Sequence, residues 1–179
     1  MNKRFLTVAI LIGLLCAAIG IYVGNRQTNA QPAKNGAVQQ LTALSLTDSQ
    51  GKLKKLSQWQ GKFLLVNFWA TWCAPCVQEM PELSELQKNL SKSNVQLIGL
   101  GIDSPGNIVE FAQKYQISYP LFAAGMEGTD LSRQLGNQAA GLPFTVLISP
   151  DGILLKSYLG RLNIEQLRSD IIKLTNSKQ

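Results

Sequence analysis

The chain has 179 residues, 45% of them apolar, with a net charge of +6, three cysteines and no histidine. That length suits one domain plus an appendage, and without imidazole there is no Cys–His or Ser–His–Asp nucleophile and no mixed Cys/His zinc site. Lys3, Arg4, Arg26 and Lys34 precede residue 37 with no acid among them, and 13 basic then face 11 acidic side chains, so no clustered basic face is left for nucleic acid.

Residues 5–23, FLTVAILIGLLCAAIGIYV, form an uncharged run of 19, nearly enough to span about 30 Å of hydrocarbon at about 1.5 Å per residue. Lys3 and Arg4 precede the run and only Arg26 closely follows it, a bias that keeps the N-terminus cytoplasmic and the rest of the chain outside. Residues 1–24 are therefore read as a retained membrane anchor. The alternative, a cleaved signal peptide, has a shorter apolar region of about 7–15 residues, and TNA (28–30) is a poor cleavage site well past the run. Leu15 stands where a lipoprotein needs a small residue, so Cys16 reads as an inert apolar residue. Residues 25–37 are polar, carry Pro32 and Gly36 and read as a flexible linker. A globular domain is expected over 38–179.

Within it, LTALSLTD (41–48) alternates and predicts a strand, with KLKKLS returning after a turn. KFLLVNFWA (62–70) is a nearly continuous apolar run, as expected of a strand covered on both faces. Val77, Met80, Leu83, Leu86 and Leu90 recur at helical spacing, with Pro81 inside the pattern. VQLIGLGID (95–103) is a second buried strand, and Pro105 opens a helix carrying Ile108, Phe111, Ala112 and Tyr115. YPLFAA and TDLSRQLG give a short strand and a short helix closed by Gly136, PFTVLIS (143–149) a strand, and ILLKSYLG its return after PDG. Asn163 caps a last helix with Gln166 at the capping-box position and Ile164, Leu167, Ile171 and Leu174 as its stripe. The class is α/β, a mixed sheet with helices on both faces.

FWATWCAPCVQEMP (68–81) places Cys73 after a buried strand and at the start of a helix. There the unpaired backbone N–H groups and the helix dipole favour a thiolate, and cysteines so placed have pKa values lowered to about 3.5–7.5. Cys76 lies one turn in, shielded, and close enough to attack a mixed disulfide on Cys73; Pro75 keeps the turn rigid. Three readings of the pair compete. A metal site is short of ligands, since a four-thiolate site needs more than three cysteines. A structural staple closing so small a loop removes little entropy from the unfolded chain. Thiol–disulfide exchange is the reading that remains.

NFWATWCAPC with EMP after it, and GLPFTVLI (141–148), resemble the thioredoxin superfamily, specifically its membrane-anchored TlpA/ResA-type branch, over about residues 38–177. The resemblance implies a thioredoxin-like fold with an N-terminal β-hairpin extension and a central strand–helix insertion. It implies Cys73 as nucleophile, Cys76 as resolving thiol, and Trp72 as part of the docking surface. Pro143 would be a cis-proline that brings the backbone of Leu142 beside the sulfurs to pair with an incoming peptide. Asn67 stands where thioredoxin keeps a buried aspartate that assists proton transfer, and an amide cannot take that proton. Glu79 matches a glutamate characteristic of the branch, and is expected to tune the thiols and relay the proton; otherwise it is a first-turn acid complementing the helix dipole.

The branch implies an extracytoplasmic reductase, single-pass in the cell inner membrane with its catalytic domain in the periplasm. It would act on protein disulfides, often those of apocytochrome c in cytochrome c maturation. A DsbD- or CcdA-type membrane electron donor would recharge it, with no cofactor beyond the Cys73–Cys76 disulfide. The alternatives are a disulfide oxidant or isomerase, a thiol peroxidase, or a redox-silent binding module. A peroxiredoxin-type peroxidase needs threonine three residues before its attacking cysteine, and Ala70 stands there before Cys73.

Overall fold

The computed structural model describes residues 11–21, 35–90 and 94–176, divided between two compact units, Met1–Ala33 and Lys34–Gln179. In the first unit, residues 11–21 are helical and exposed. Among the described residues no helix is long and apolar enough to cross a membrane. The rest of the expected anchor, residues 1–10 and 22–24, and residues 25–34 of the expected linker lie outside the described residues. The linker's last three residues, 35–37, are described and are helical, with Ala37 buried in the domain core.

The second unit opens with a helix, α1 (35–43), where the alternation over 41–48 predicts a strand. Ala37, Val38 and Leu41 are the reason: they recur at helical spacing and are all buried. Period-two burial begins only with β1 (Ser45–Asp48), which pairs antiparallel with β2 (Leu53–Lys55). A 3₁₀ turn (Leu56–Trp59) leads to β3 (Phe63–Trp69), then α2 (Ala74–Leu90), β4 (Val95–Gly101), α3 (Pro105–Lys114), β5 (Leu121–Ala123), α4 (Gly125–Gln134), β6 (Phe144–Ile148), β7 (Leu154–Leu159) and α5 (Ile164–Asn176).

These strands form one seven-stranded sheet in the order β2-β1-β5-β4-β3-β6-β7. The pairs β3–β4 and β4–β5 are parallel and the rest antiparallel. The β1–β2 hairpin therefore extends one edge, attached through β5, and β5 with α4 is the strand–helix unit inserted between β4 and β6. All seven residues of β3 are buried, as a strand covered on both faces requires. Phe63, Leu65 and Trp69 pack with Met80 and Leu83 of α2, Phe111 of α3 and Leu167 of α5. Leu64, Val66 and Phe68 pack with Val38 and Leu41 of α1 and Leu131 of α4. Helices thus cover both faces.

Local signals set the helix ends. Ser104 Oγ accepts from Asn107 N at 3.3 Å with Pro105 in the first turn. Asn163 Oδ1 accepts from Gln166 N at 2.9 Å, while the Gln166 side chain turns to Asp170, so only half of the capping box forms. Helix α2 runs on through Pro81, which has no N–H to donate to the Val77 carbonyl four residues earlier. Trp69 lies opposite Gly101, and Phe68 opposite Phe144. The segments after β3, after β4 and before β6 therefore meet at one end of the sheet.

Candidate active site

The segment after β3 is the WCAPC turn. Cys73 N donates to Ala70 O (3.2 Å), and Cys73 O accepts from Val77 N (3.0 Å), so Cys73 occupies the cap position of α2. No acidic residue lies in the helix's first turn to oppose an anion there. Cys73 and Cys76 are joined in a disulfide with Cα atoms 5.3 Å apart. The two sulfurs are not equivalent: Cys73 is 6% exposed and Cys76 0%. Trp72 is 71% exposed beside them, and Ala74 and Pro75 are exposed as well. The surface around Cys73 is therefore open to a partner while Cys76 faces the core.

The segment after β4 holds this turn from behind. The Asp103 carboxylate accepts from Thr71 N at 3.3 Å, the Thr71 hydroxyl, Ser104 N at 2.8 Å and Asn107 Nδ2 at 2.6 Å. Burial pushes the Asp103 carboxyl up, but the hydrogen bonds from Thr71, Asn107 and Ser104 outweigh it and hold it below the usual range. The segment before β6 contains the cis Leu142–Pro143 bond. Asn137 brackets its approach, donating to Gly141 O (2.8 Å) and accepting from Gly141 N (3.0 Å).

Beneath the disulfide lies a buried polar group. Glu79, one turn beyond Cys76 in α2, is fully buried. Its Oε1 accepts from Asn67 Nδ2 at 2.8 Å and its Oε2 from Leu162 N at 2.9 Å. Asn67 Nδ2 also donates to Thr145 Oγ1 at 3.0 Å, across the β3–β6 pairing. Burial pushes the Glu79 carboxyl from its ordinary 4.5 up to about 7, against the opposing pull of the Leu162 N–H, Asn67 and the Arg161 charge; Glu82 adds to the rise. An acid with that value can both take and give a proton near neutrality. Tyr119 is also buried here, and burial, then the Glu79 charge, hold its phenol above the ordinary 10.0. Among the described residues, Asn67 Oδ1, Trp69 Nε1 and the Tyr119 hydroxyl have no hydrogen-bond partner. No three His, Cys, Asp or Glu side chains among the described residues converge as a metal site requires.

The structure thus brings Trp72, Cys73, Pro75 and Cys76 together in one turn, sets Leu142–Pro143 at the same sheet end, and joins Asn67 directly to Glu79. Sequence reasoning missed Thr145, Asp103, Tyr119, Arg161 and the Leu162 N–H. Thr145 carried a findable signal, since it lies two residues past Pro143 and so on the opposite face from Phe144 and Val146. Leu162 contributes a backbone group, and its side chain announces nothing.

Residues 28–171 match the Redoxin family. The thiol-disulfide oxidoreductase ResA of a Bacillus cereus strain is 32% identical over 178 residues, covering 97% of this chain and 98% of that protein. ResA of Bacillus subtilis (strain 168) is 28% identical over 179 residues, covering 97% and 93%. Among solved structures, a thiol-disulfide oxidoreductase from Bacteroides fragilis NCTC 9343 has a TM-score of 0.62 at 26% identity, covering 73% of this chain and 96% of that one. With the dithiol turn at the head of α2 and the thioredoxin-like sheet behind it, the chain belongs to the Redoxin family, as a thiol–disulfide oxidoreductase of the TlpA/ResA type.

Proposed function

We propose that the protein is an extracytoplasmic, membrane-tethered reductase of protein disulfides, anchored by its 5–23 run and recharged by a DsbD- or CcdA-type membrane electron donor. The observation that best supports the exchange chemistry is the asymmetry of the pair, 6% against 0% exposed, with a buried acid whose carboxyl is pushed up to about 7 one turn along the helix. The direction and the donor rest on the family resemblance, and the tether on the uncharged 5–23 run. In the dithiol form, the Cys73 thiolate attacks one sulfur of a substrate disulfide and expels the other as a thiolate. Cys76 gives its proton to the Glu79 carboxylate and attacks Cys73 Sγ, closing the Cys73–Cys76 disulfide and releasing the second substrate thiol. Two electrons pass to the substrate, and no cofactor beyond the cysteine pair takes part. Trp72 and the Leu142–Pro143 segment receive the polypeptide. Apocytochrome c before haem attachment is the substrate that the resemblance favours, and confinement at the membrane raises its effective concentration.

The reduction potential of the Cys73–Cys76 couple tests the direction. A value near thioredoxin's, about −270 mV, supports the reductase, whereas one near about −120 mV assigns an oxidant instead. A Cys76→Ala variant traps a mixed disulfide on Cys73 with the physiological partner; recovering no thiol-linked protein from cells counts against exchange on polypeptides.

A further inference from the structure

The loop Gly160–Arg161–Leu162, between β7 and α5, touches three parts of the site at once. Gly160 N donates to Pro143 O at 2.8 Å, Leu162 N donates to Glu79 Oε2 at 2.9 Å, and Arg161 Nη2 donates to Glu82 Oε1 at 2.7 Å. Arg161 Nη1 also reaches Gln78 Oε1 at 3.5 Å. Gly160 has φ +86°, a left-handed turn that glycine adopts without strain, so the chain leaves β7 abruptly and returns over α2. Glu79 and Glu82 lie three residues apart on that one helix. Whatever holds residue 161 against α2 therefore also sets where the Leu162 N–H points.

We propose that Arg161 is a positioning residue for the buried acid: its ion pair with Glu82 latches the loop to α2 and keeps the Leu162 N–H on Glu79, while Gly160 fixes the loop's other end to Pro143. Arg161 itself is 48% exposed and Glu82 44%, so the pair is modest in strength. Its leverage comes from a neighbour, because the N–H it positions is buried and serves a buried carboxylate. The assignment rests on the reading of Glu79 as the proton acceptor of the exchange.

The charged groups around Glu79 give the test a discriminating sign. Arg161 on the loop favours the carboxylate anion, and Glu82 on α2 disfavours it. Glu165 and Arg168 of α5 line the groove shared by Glu82 and Leu162. Tyr119 stands ahead of β5, while Asn67 and Thr145 on the strands do not titrate. The cysteines are silent while disulfide-bonded. Removing Arg161 raises the Glu79 titration on either account, through lost charge or a lost latch. Removing the Glu82 charge separates them: charge alone lowers the titration, whereas loss of the Leu162 N–H raises it.

The measurement is a pH titration of the Glu79 carboxyl carbon by NMR, on the full-length disulfide form in detergent micelles, for wild type, R161M, R161K and E82Q. Thermal unfolding checks that each variant is folded, as expected for half-exposed positions. R161M and E82Q should both raise the midpoint, by about half a pH unit, the size that a half-exposed pair supports, while R161K holds it. An R161M midpoint that does not move, or an E82Q midpoint that falls, overturns the proposal. The readout is the carboxyl itself, so the latch is judged separately from exchange. If E79Q leaves exchange rates unaltered, the proton-acceptor reading fails while the latch can still be observed.

Discussion

The buried carboxyl makes a quantitative claim about stability. Glu79 titrates near 7 in the folded protein against an ordinary 4.5, so between those values the native state holds a proton that the unfolded chain has released. Stability then falls as pH rises through that window. The gap is about two and a half pH units, and at about 1.4 kcal/mol per unit it amounts to about 3 kcal/mol. Glu79→Gln replaces the neutral acid by an amide of the same shape, with a carbonyl for one of the two donors, Asn67 Nδ2 or Leu162 N. At pH 4.5 the variant should be the less stable by about 1–2 kcal/mol, because the donor that meets the amide nitrogen is left unpaired. Between there and pH 8 the variant-minus-wild-type difference should rise by about 3 kcal/mol in the variant's favour, because the variant has nothing to ionise. Equilibrium urea unfolding of the disulfide form at pH steps from 4.5 to 8.5 measures this, and taking the variant-minus-wild-type difference cancels the carboxylates that titrate lower, such as Asp103 and Asp170. If the two stability curves run parallel across the window, Glu79 is not the group titrating there and the reasoning about the site fails.

Two further outcomes follow from the packing. Asp103→Ala should leave Thr71 N and Ser104 N without their acceptor, costing about 1–2 kcal/mol of stability; it should also slow reaction with a small disulfide under conditions where the variant is fully folded, because the turn two residues before Cys73 loses its anchor. An unchanged exchange rate would show that the turn is held without Asp103. Gly99→Ala should cost about 1–3 kcal/mol by overpacking, read by thermal unfolding, since a Cβ there would lie 2.5 Å from Leu121 Cδ2, 3.1 Å from Trp69 Nε1 and 3.3 Å from Tyr119 Cε2. A neutral result would mean that the core beside Asn67 is looser than these distances imply.

What the sequence made legible and what it concealed divide along physical lines. β3 and β4 could be read directly, because strands covered on both faces show as nearly continuous apolar runs, each here interrupted by a single amide, Asn67 and Gln96. The Cys73–Cys76 turn could be read because its chemistry needs only a fixed spacing at a helix start. The helix α1 could not: it spans little more than two turns, and Leu44 with Leu46 mimics a strand just where Ala37, Val38 and Leu41 set the helical period. Partners within the site were concealed because they are remote. Thr145 lies 78 residues from Asn67, and Leu162 lies 83 from Glu79. Such pairings depend on the β3–β6 register and on where the loop after β7 falls, which no local pattern encodes.

The pairing of positions 67 and 79 has a physical logic that neither residue shows alone. Asn67 Nδ2 donates to both Glu79 Oε1 and Thr145 Oγ1, so the strand supplies a donor and the helix supplies the titrating group. An aspartate at position 67 would put a second carboxyl within about hydrogen-bonding distance of Glu79 in the same dry core, where two like charges cannot both ionise and one proton would be shared between them. With an amide on the strand, a single acid answers to pH, and its oxygens are turned toward known donors rather than toward a competitor. An amide on the strand and a carboxyl on the helix are therefore one arrangement, in which the titrating group sits on the helix that carries the cysteine pair, one turn beyond Cys76.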